Sequence, residues 1–349
     1  MQKTTNSLSY DDVLLVPKYS NIESRKEIDI GSSLDKQIHL EVPIIASPMD
    51  TVTNSNLSST MANLGAMAIM HRYNTPADQI TQVMKVRDSN PRANIGIAVG
   101  VSDDYRMRVK LAKQAGVRLI CFDVAHGHHV LVERAIKATR DEHGDLFHIM
   151  AGNVATVEGL NDLADWGANS IRVGIGGGSI CSTRIQTGHG VPTFQSVLDC
   201  SQTDRDVKII ADGGAKTSGD IVKALAAGAD FVMLGSLLAG TTEAPGELIY
   251  DKSGQSFKTY RGMASSEAQI EWRGATASVE GIATVIPTKG PLRDTVESLS
   301  LGIRSGFSYS GARNLAELQA KAKFVKQTVA GQSESATHIL ARWPNARRA

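Results

Sequence analysis

Short apolar runs return along this chain at a nearly regular interval. They are VPIIASP (42–48), GAMAIM (65–70), NIGIAVG (94–100), VRLICFDV (117–124), FHIMAGNV (147–154), NSIRVGIG (169–176), VKIIADGG (207–214) and ADFVMLGS (229–236). Each is too short for a helix and rich in β-branched or small apolar residues, which predicts a strand buried on both faces. Their starts lie about 22–38 residues apart, room for one strand, one loop and one helix. Between them, stretches such as DDYRMRVKLAKQAG (103–116) and SGDIVKALAAGA (218–229) place apolar residues three and four positions apart, the period of an amphipathic helix. Glycines at 65, 116, 167 and 228 follow the predicted helix ends, where a C-cap belongs. Eight such units predict an α/β fold, a (β/α)8 barrel in preference to an open doubly wound sheet.

In a (β/α)8 barrel the chemistry sits on the loops that follow the strands. The glycine-rich and polar segments fall there, at 47–50, 123–128, 152–153, 174–181, 212–214 and 235–236. Residues 241–293 lose the repeat, and GMASSEAQIEWRGATASVEGIATVIPTKG (262–290) has no clear period, so it reads as a mobile lid. Helical spacing returns over 294–329, and HILARWPNARRA (338–349) reads as a loosely held basic tail. The expected organisation is one barrel domain over 1–329, with a flap at 262–290, followed by a tail over 330–349.

Composition narrows the partners. At 42% hydrophobic and 21% charged the chain has the make-up of a soluble globular enzyme, and a net charge of +1 offers no attraction to nucleic acid or an anionic membrane. Three cysteines, Cys121, Cys181 and Cys200, share no metal-ligand spacing and leave one thiol over, which suits a reducing, cytoplasmic setting. The polar N-terminal stretch has no signal-peptide core, and no apolar run approaches the length of a membrane span.

The segment VGIGGGSICSTR (173–184) concentrates the candidate chemistry. Backbone N–H groups of such a glycine turn, with the Ser179 hydroxyl, make a nest for an anion, although a plain tight turn accounts for many glycine runs. Asp212-Gly213-Gly214 and Gly235-Ser236 follow the seventh and eighth strands, where barrels commonly bind phosphate. Cys181 has the polar neighbours Ser179, Ser182, Thr183 and Arg184, so it reads as a nucleophile activated by oriented amides. Cys121 and Cys200 read as buried filler. Asp123 and Asp212 are either ion-paired carboxylates or ribose ligands. His126, His128 and His129 lack a carboxylate or cysteine at ligand spacing, which argues against a metal centre. Met49 reads as a packing residue beside a flat ligand.

GIGGGSICSTR, ASPMDTVT, FDVAHGH, AGNVAT, ADGGAKTSGDIVKALAAGADFVMLGSLLAG and YRGM, in the chain's own arrangement, resemble the IMP dehydrogenase/GMP reductase family. The resemblance runs from SYDDVLLVP (9–17) to RSGFSYSGARNLAELQ (304–319). It implies a barrel, usually a homotetramer, that binds a purine nucleoside monophosphate beside a nicotinamide cofactor. By this resemblance Cys181 attacks purine C2 to form a thioimidate. Ser179, Gly214, Gly235, Ser236 and Tyr260 hold the phosphate, and Asp212 holds the ribose. Ser47, Met49, Met263 and Ala264 surround the base, while Asp123, Val124 and Ala125 face the nicotinamide. The carbonyls of Gly176, Gly178 and Cys181 match a monovalent-cation site, normally potassium.

Two branches of the family fit. Dehydrogenases oxidise IMP with NAD and hydrolyse the adduct with an Arg-Tyr pair on a long flap; reductases release ammonia from GMP and deliver hydride from NADPH. ASPMDTVT, AHGH, ADGGAKTSGD, YRGM and AGQSES lean to the dehydrogenase. Against it, no Arg-Tyr pair lies between Met263 and Gly290, the flap is short, and MHRYNTPADQITQVMKVRDSNPRANIGIAVG (70–100) has no room for a regulatory insert. Thr183 and Glu280 match residues implicated in proton transfer by the reductases. The expectation is a GMP reductase-like enzyme using NADPH. An IMP dehydrogenase without the insert is the alternative, and an inactive nucleotide sensor a remote one.

Overall fold

Eight parallel strands close into a barrel in simple chain order: β1 (Ile44–Ala46), β2 (Met67–Met70), β3 (Ile95–Val99), β4 (Leu119–Asp123), β5 (His148–Val154), β6 (Ser170–Val173), β7 (Lys208–Asp212) and β8 (Phe231–Leu234). This computed structural model describes residues 6–335 except 103, together with 337. Val232 opposite Ile44 joins the last strand to the first, so no sheet edge is left to be covered. Every predicted strand is present, and the (β/α)8 class stands.

Helices cover the barrel because polar caps start them where the strands end. Asn54 accepts from Leu57 N at the head of Ser55–Asn63, and Thr75 accepts from Asp78 N ahead of Pro76–Ser89. Thr217 and Asp220 form a capping box for Ser218–Ala226. A hairpin, Ser32–Ser33 with His39–Leu40, plugs the N-terminal end of the barrel. Its Leu34, Ile38 and Leu40 pack on Ile45, Met67, Leu119, Cys121 and Phe231 inside the barrel. Each such buried side chain contributes about 1.5–3 kcal/mol. The plug is tied down by Asp35, whose Oδ2 lies 2.8 Å from Nδ1 of the buried His148, while His148 Nε2 lies 2.9 Å from Ser170 Oγ.

Residues 241–293 differ from the expected irregular lid. Leu248–Tyr250, Ser256–Arg261 and Ala283–Pro287 form an antiparallel three-stranded sheet, and helix Ser266–Arg273 sits between its last two strands. The periodic signal is missing because the first strand is exposed along its length and the last is nearly so, which leaves no one-sided burial to mark the sequence. Downstream, Leu292–Tyr309 and Leu315–Lys321 are helical as expected. Phe324–Lys326 instead pairs antiparallel with Val13–Leu15, tying the two ends of the domain together. Helix Val329–Glu334 begins at the expected domain limit, and the basic tail 338–349 lies outside the described residues. No helix of the described residues is long and apolar enough to cross a membrane.

Candidate active site

The loops after the strands surround a cleft of roughly 470 Å³, within the size range of small-molecule sites. Every residue singled out above as a candidate catalytic, substrate, cofactor or cation residue lines it. At its centre Cys181 is partly exposed, whereas Cys121 and Cys200 are buried. Burial pushes both of those thiols up to about 12, so they stay protonated and inert.

Around Cys181 the side chains form a directed chain of hydrogen bonds. The Cys181 thiol donates to Thr183 Oγ1 at 3.2 Å, and the Thr183 hydroxyl donates to Glu280 Oε2 at 2.8 Å. Glu280 comes from the flap, 97 residues after Thr183 in sequence, yet its backbone is bonded to the cysteine loop. Ser182 N donates to Glu280 O at 2.9 Å, Ile282 N to Ile180 O at 3.0 Å, and Glu280 N to Ala264 O at 3.1 Å. Gln269 closes the flap upon itself. Its carboxamide donates to Ala264 O (3.0 Å) and Ser278 O (2.9 Å) and accepts from Ala277 N (2.7 Å). A buried amide satisfied on both sides fixes the loop that carries Glu280.

Behind the thiol, Arg172 supplies the charge that the two strand-end aspartates need. Its guanidinium donates to Asp123 Oδ1 at 2.5 Å and to Asp212 Oδ2 at 2.8 and 3.1 Å. Asn153 Nδ2 adds a bond to Asp212 Oδ2 at 2.8 Å. Burial opposes the charge on Arg172, but Asp212 and Asp123 outweigh it and hold the group cationic. Both aspartates are therefore ion-paired while still lining the cleft.

The glycine turns let three backbones meet. A Cβ on Gly174 would stand 2.0 Å from Asp212 O at a φ of +144°, and one on Gly213 would stand 3.0 Å from Gly178 N at +92°. Ser179, Gly214, Gly235, Ser236 and Tyr260 gather on this side of the cleft, with Ser179 Oγ 3.5 Å from the Tyr260 hydroxyl. Burial first, and the charge of Asp212 second, raise Tyr260 above its ordinary value, so it remains a hydrogen-bond donor. On the other side, Asp50 N donates to Met263 Sδ at 3.3 Å, bringing Met263 beside the loop that carries Met49 and Ser47.

The expected cation ligands have mixed surroundings. Gly178 O accepts from Cys181 N at 3.1 Å, whereas the carbonyls of Gly176 and Cys181 take no backbone hydrogen bond among the described residues. Two free carbonyls on one loop fit a hard monovalent cation. The histidines of AHGHH do other work: His128 Nε2 lies 2.7 Å from Asp162 Oδ2, and His129 Nδ1 accepts from Leu131 N at the start of helix Val130–His143.

Sequence reasoning missed Arg172, Gln269 and a group formed by Arg72, Tyr73 and Arg273, all of which line the cleft. Arg172 had left a trace, as the one charged side chain inside the run NSIRVGIG. The others depend on contacts between distant loops that no local pattern reveals.

Comparison with known proteins gives a consistent result. The family model described as IMP dehydrogenase / GMP reductase domain matches residues 7–338. The chain is 31% identical to the inosine-5′-monophosphate dehydrogenase of Nitrosopumilus maritimus, across 95% of this chain and 98% of that one. It is 30% identical to the GMP reductase of Leishmania major, across 96% and 97% respectively. Among solved structures, a cysteine-to-alanine variant of GMP reductase from Trypanosoma brucei in complex with guanosine 5′-monophosphate superposes with a TM-score of 0.89 at 29% identity, covering 96% of this chain and 98% of that one.

Proposed function

This chain belongs to the IMP dehydrogenase/GMP reductase family, purine nucleotide oxidoreductases that use NAD or NADP, and we propose that it is the reductive kind. In this reading it converts GMP to IMP and ammonia with NADPH, through a thioimidate on Cys181. The observation that carries the reading is the chain Cys181–Thr183–Glu280 on a short flap bonded to the cysteine loop.

The chemistry follows from that chain. GMP lies with its phosphate among Ser179, Gly214, Gly235, Ser236 and Tyr260, its ribose against Asp212, and its base between Met49, Met263, Ser47 and Ala264. Cys181 gives up its proton along Thr183 toward Glu280, and the sulfur adds to C2 of the base. The amino group on C2 must leave as ammonia, so it needs a proton at the moment the C–N bond breaks. Thr183 and Glu280 are placed to return the one they took, a contribution of about 10²- to 10⁴-fold in rate. What remains is a thioimidate between Sγ and C2. A nicotinamide cofactor, when bound, would supply hydride to that carbon, and loss of the C–S bond would then leave IMP and a free thiolate on Cys181. Asp123, Val124 and Ala125 would face the nicotinamide, and Arg172 keeps Asp123 in place for it. The carbonyls of Gly176, Gly178 and Cys181 would hold a monovalent cation, which would steady the loop as the sulfur changes partners.

Flap length favours the reductase over the dehydrogenase. Only residues 274–282 separate helix Ser266–Arg273 from strand Ala283–Pro287, and the stretch is pinned by Gln269 and the backbone of Glu280. A hydrolytic branch needs a base to activate water on the same adduct. The second reading, IMP dehydrogenase, draws support from the near-equal identities to the two kinds of relative. Purified protein is expected to oxidise NADPH with GMP and release one ammonia per turnover. Formation of NADH from IMP and NAD, without NADPH oxidation by GMP, would overturn the reductase reading.

A further inference from the structure

Lys289 leaves the flap sheet just after strand Ala283–Pro287 and turns back toward the loop that follows β8. Its main chain is fixed there: Lys289 N donates to Gly240 O at 2.9 Å, and Thr242 N donates to Gly290 O at 2.8 Å. The side chain reaches further back, and its ammonium donates to Ser236 O and, at 3.2 Å, to Leu237 O.

Those two carbonyls belong to one tight turn. Gly235 O accepts from Leu238 N at 3.0 Å and from Ala239 N at 2.9 Å, while Gly235 and Ser236 line the cleft. The N–H groups of Gly235, Ser236 and Leu237 have no backbone acceptor among the described residues. The peptide group joining Ser236 to Leu237 thus has Lys289 at its oxygen and a free N–H at its other end. A cation on the oxygen makes that N–H a stronger donor, because linked hydrogen-bonding groups polarise one another.

The charge of Lys289 has no counter-ion in the protein. The residue as a whole is exposed, but partial burial of its ammonium lowers it below its ordinary value, and no carboxylate offsets this among the described residues. Lys258, on the neighbouring strand, also meets main-chain carbonyls, at Thr241 O (2.9 Å), Thr242 O (3.1 Å) and Ala244 O (2.6 Å), yet it has Glu243 to offset its burial. Across the cleft, Asp212 is paired with Arg172, and Tyr260 stays protonated. An unmatched cation behind a turn of free N–H groups favours an anion in front of it, and the more so the greater its charge.

We propose that Lys289 is a positioning residue for the nucleotide phosphate, acting through the Ser236–Leu237 peptide to select the doubly ionised phosphate. The inference rests on the phosphate assignment made above and is independent of the direction of the reaction.

GMP and IMP carry the same phosphate, and both are titrated calorimetrically into the full-length protein. Phosphorus NMR of the bound nucleotide then follows its second ionisation, which for a free monoester falls near about pH 6. Lys289→Met keeps the main-chain bonds of this segment. It is expected to weaken both nucleotides about tenfold and to raise the bound phosphate's midpoint by about one pH unit, since a tenfold loss confined to the dianion equals one unit. Lys289→Arg is expected to recover most of both effects, and Lys258→Met to leave the midpoint where it is. An affinity within twofold of the unsubstituted protein, a weaker affinity with an unmoved midpoint, or an equal shift in Lys258→Met refutes the role. Ser179→Ala separates that failure from failure of the phosphate assignment. Weaker binding there with none in Lys289→Met overturns this inference alone; unchanged binding in both variants, or no binding of either nucleotide by the unsubstituted protein, overturns the phosphate assignment with it.

Discussion

Replacing Glu280 with Gln tests the proton path at the point where structure and chemistry part most cleanly. The glutamate is held by its backbone, through Ser182 N, Ala264 O and the neighbouring strand, and none of those bonds involves the carboxylate. A glutamine keeps the shape and still accepts from the Thr183 hydroxyl, now 2.8 Å from Glu280 Oε2. What it loses is the ability to take and return a proton. General acid–base catalysis of this kind is worth about 10²–10⁴ in rate, or about 2.7–5.5 kcal/mol of barrier. Glu280→Gln is therefore expected to lower kcat by about two to four decades while changing the GMP dissociation constant by less than about threefold. Rapid-quench measurement of ammonia release under single-turnover conditions locates the loss in the deamination half of the cycle. Thr183→Val is expected to show a similar loss, and the double variant to be little worse than either single one, because the two groups act as a unit. A kcat within twofold of the parent would remove Glu280 from the path, and parallel losses in binding and turnover would reduce it to a structural role.

Cys181→Ala is expected to abolish any covalent nucleotide adduct seen by intact-mass spectrometry, while leaving GMP affinity within about tenfold; an adduct on the variant would mean that another nucleophile acts. Arg172→Met leaves Asp123 and Asp212 without their shared counter-ion, a loss of about 3–5 kcal/mol. At about 2.1 cal/mol/K of unfolding entropy per residue, that lowers Tm by about 4–7 °C in calorimetry, and a change below 1 °C would refute it. Burial pulls His71 down to about 4, so the folded protein keeps it neutral where the unfolded chain, near 6.5, takes up a proton. Its contribution is thus fully present above pH 6.5 and is lost as pH falls, by about 3 kcal/mol at pH 4. His71→Leu is expected to flatten that acid limb in urea titrations at pH 7, 5.5 and 4.5, and an unchanged slope would refute the assignment.

The barrel was readable because buried parallel strands leave continuous apolar runs, and all eight were visible as such. Cys181 and the glycine turns were readable as one group because polar and glycine-rich residues recur at the strand ends, which a barrel brings to a single cleft. The flap sheet was not, since its two outer strands are solvated on both faces and leave no alternation to detect. Phe324–Lys326 was lost for another reason: its partner Val13–Leu15 lies at the other end of the chain, and pairing across that distance has no local signature. Gln269 and Tyr73 look like ordinary residues until folding brings Ser278 to the one and Trp272 to the other.

The hydrogen bonds between Ser182 and Glu280, and between Ile282 and Ile180, set Cys181 opposite Gly281 on two directly bonded segments. Any separation of the flap from the cysteine loop breaks both bonds together and carries the Glu280 carboxylate away from the Cys181 thiol. The Cys181 thiol and the Glu280 carboxylate are therefore linked through Thr183 only while the two loops stay bonded.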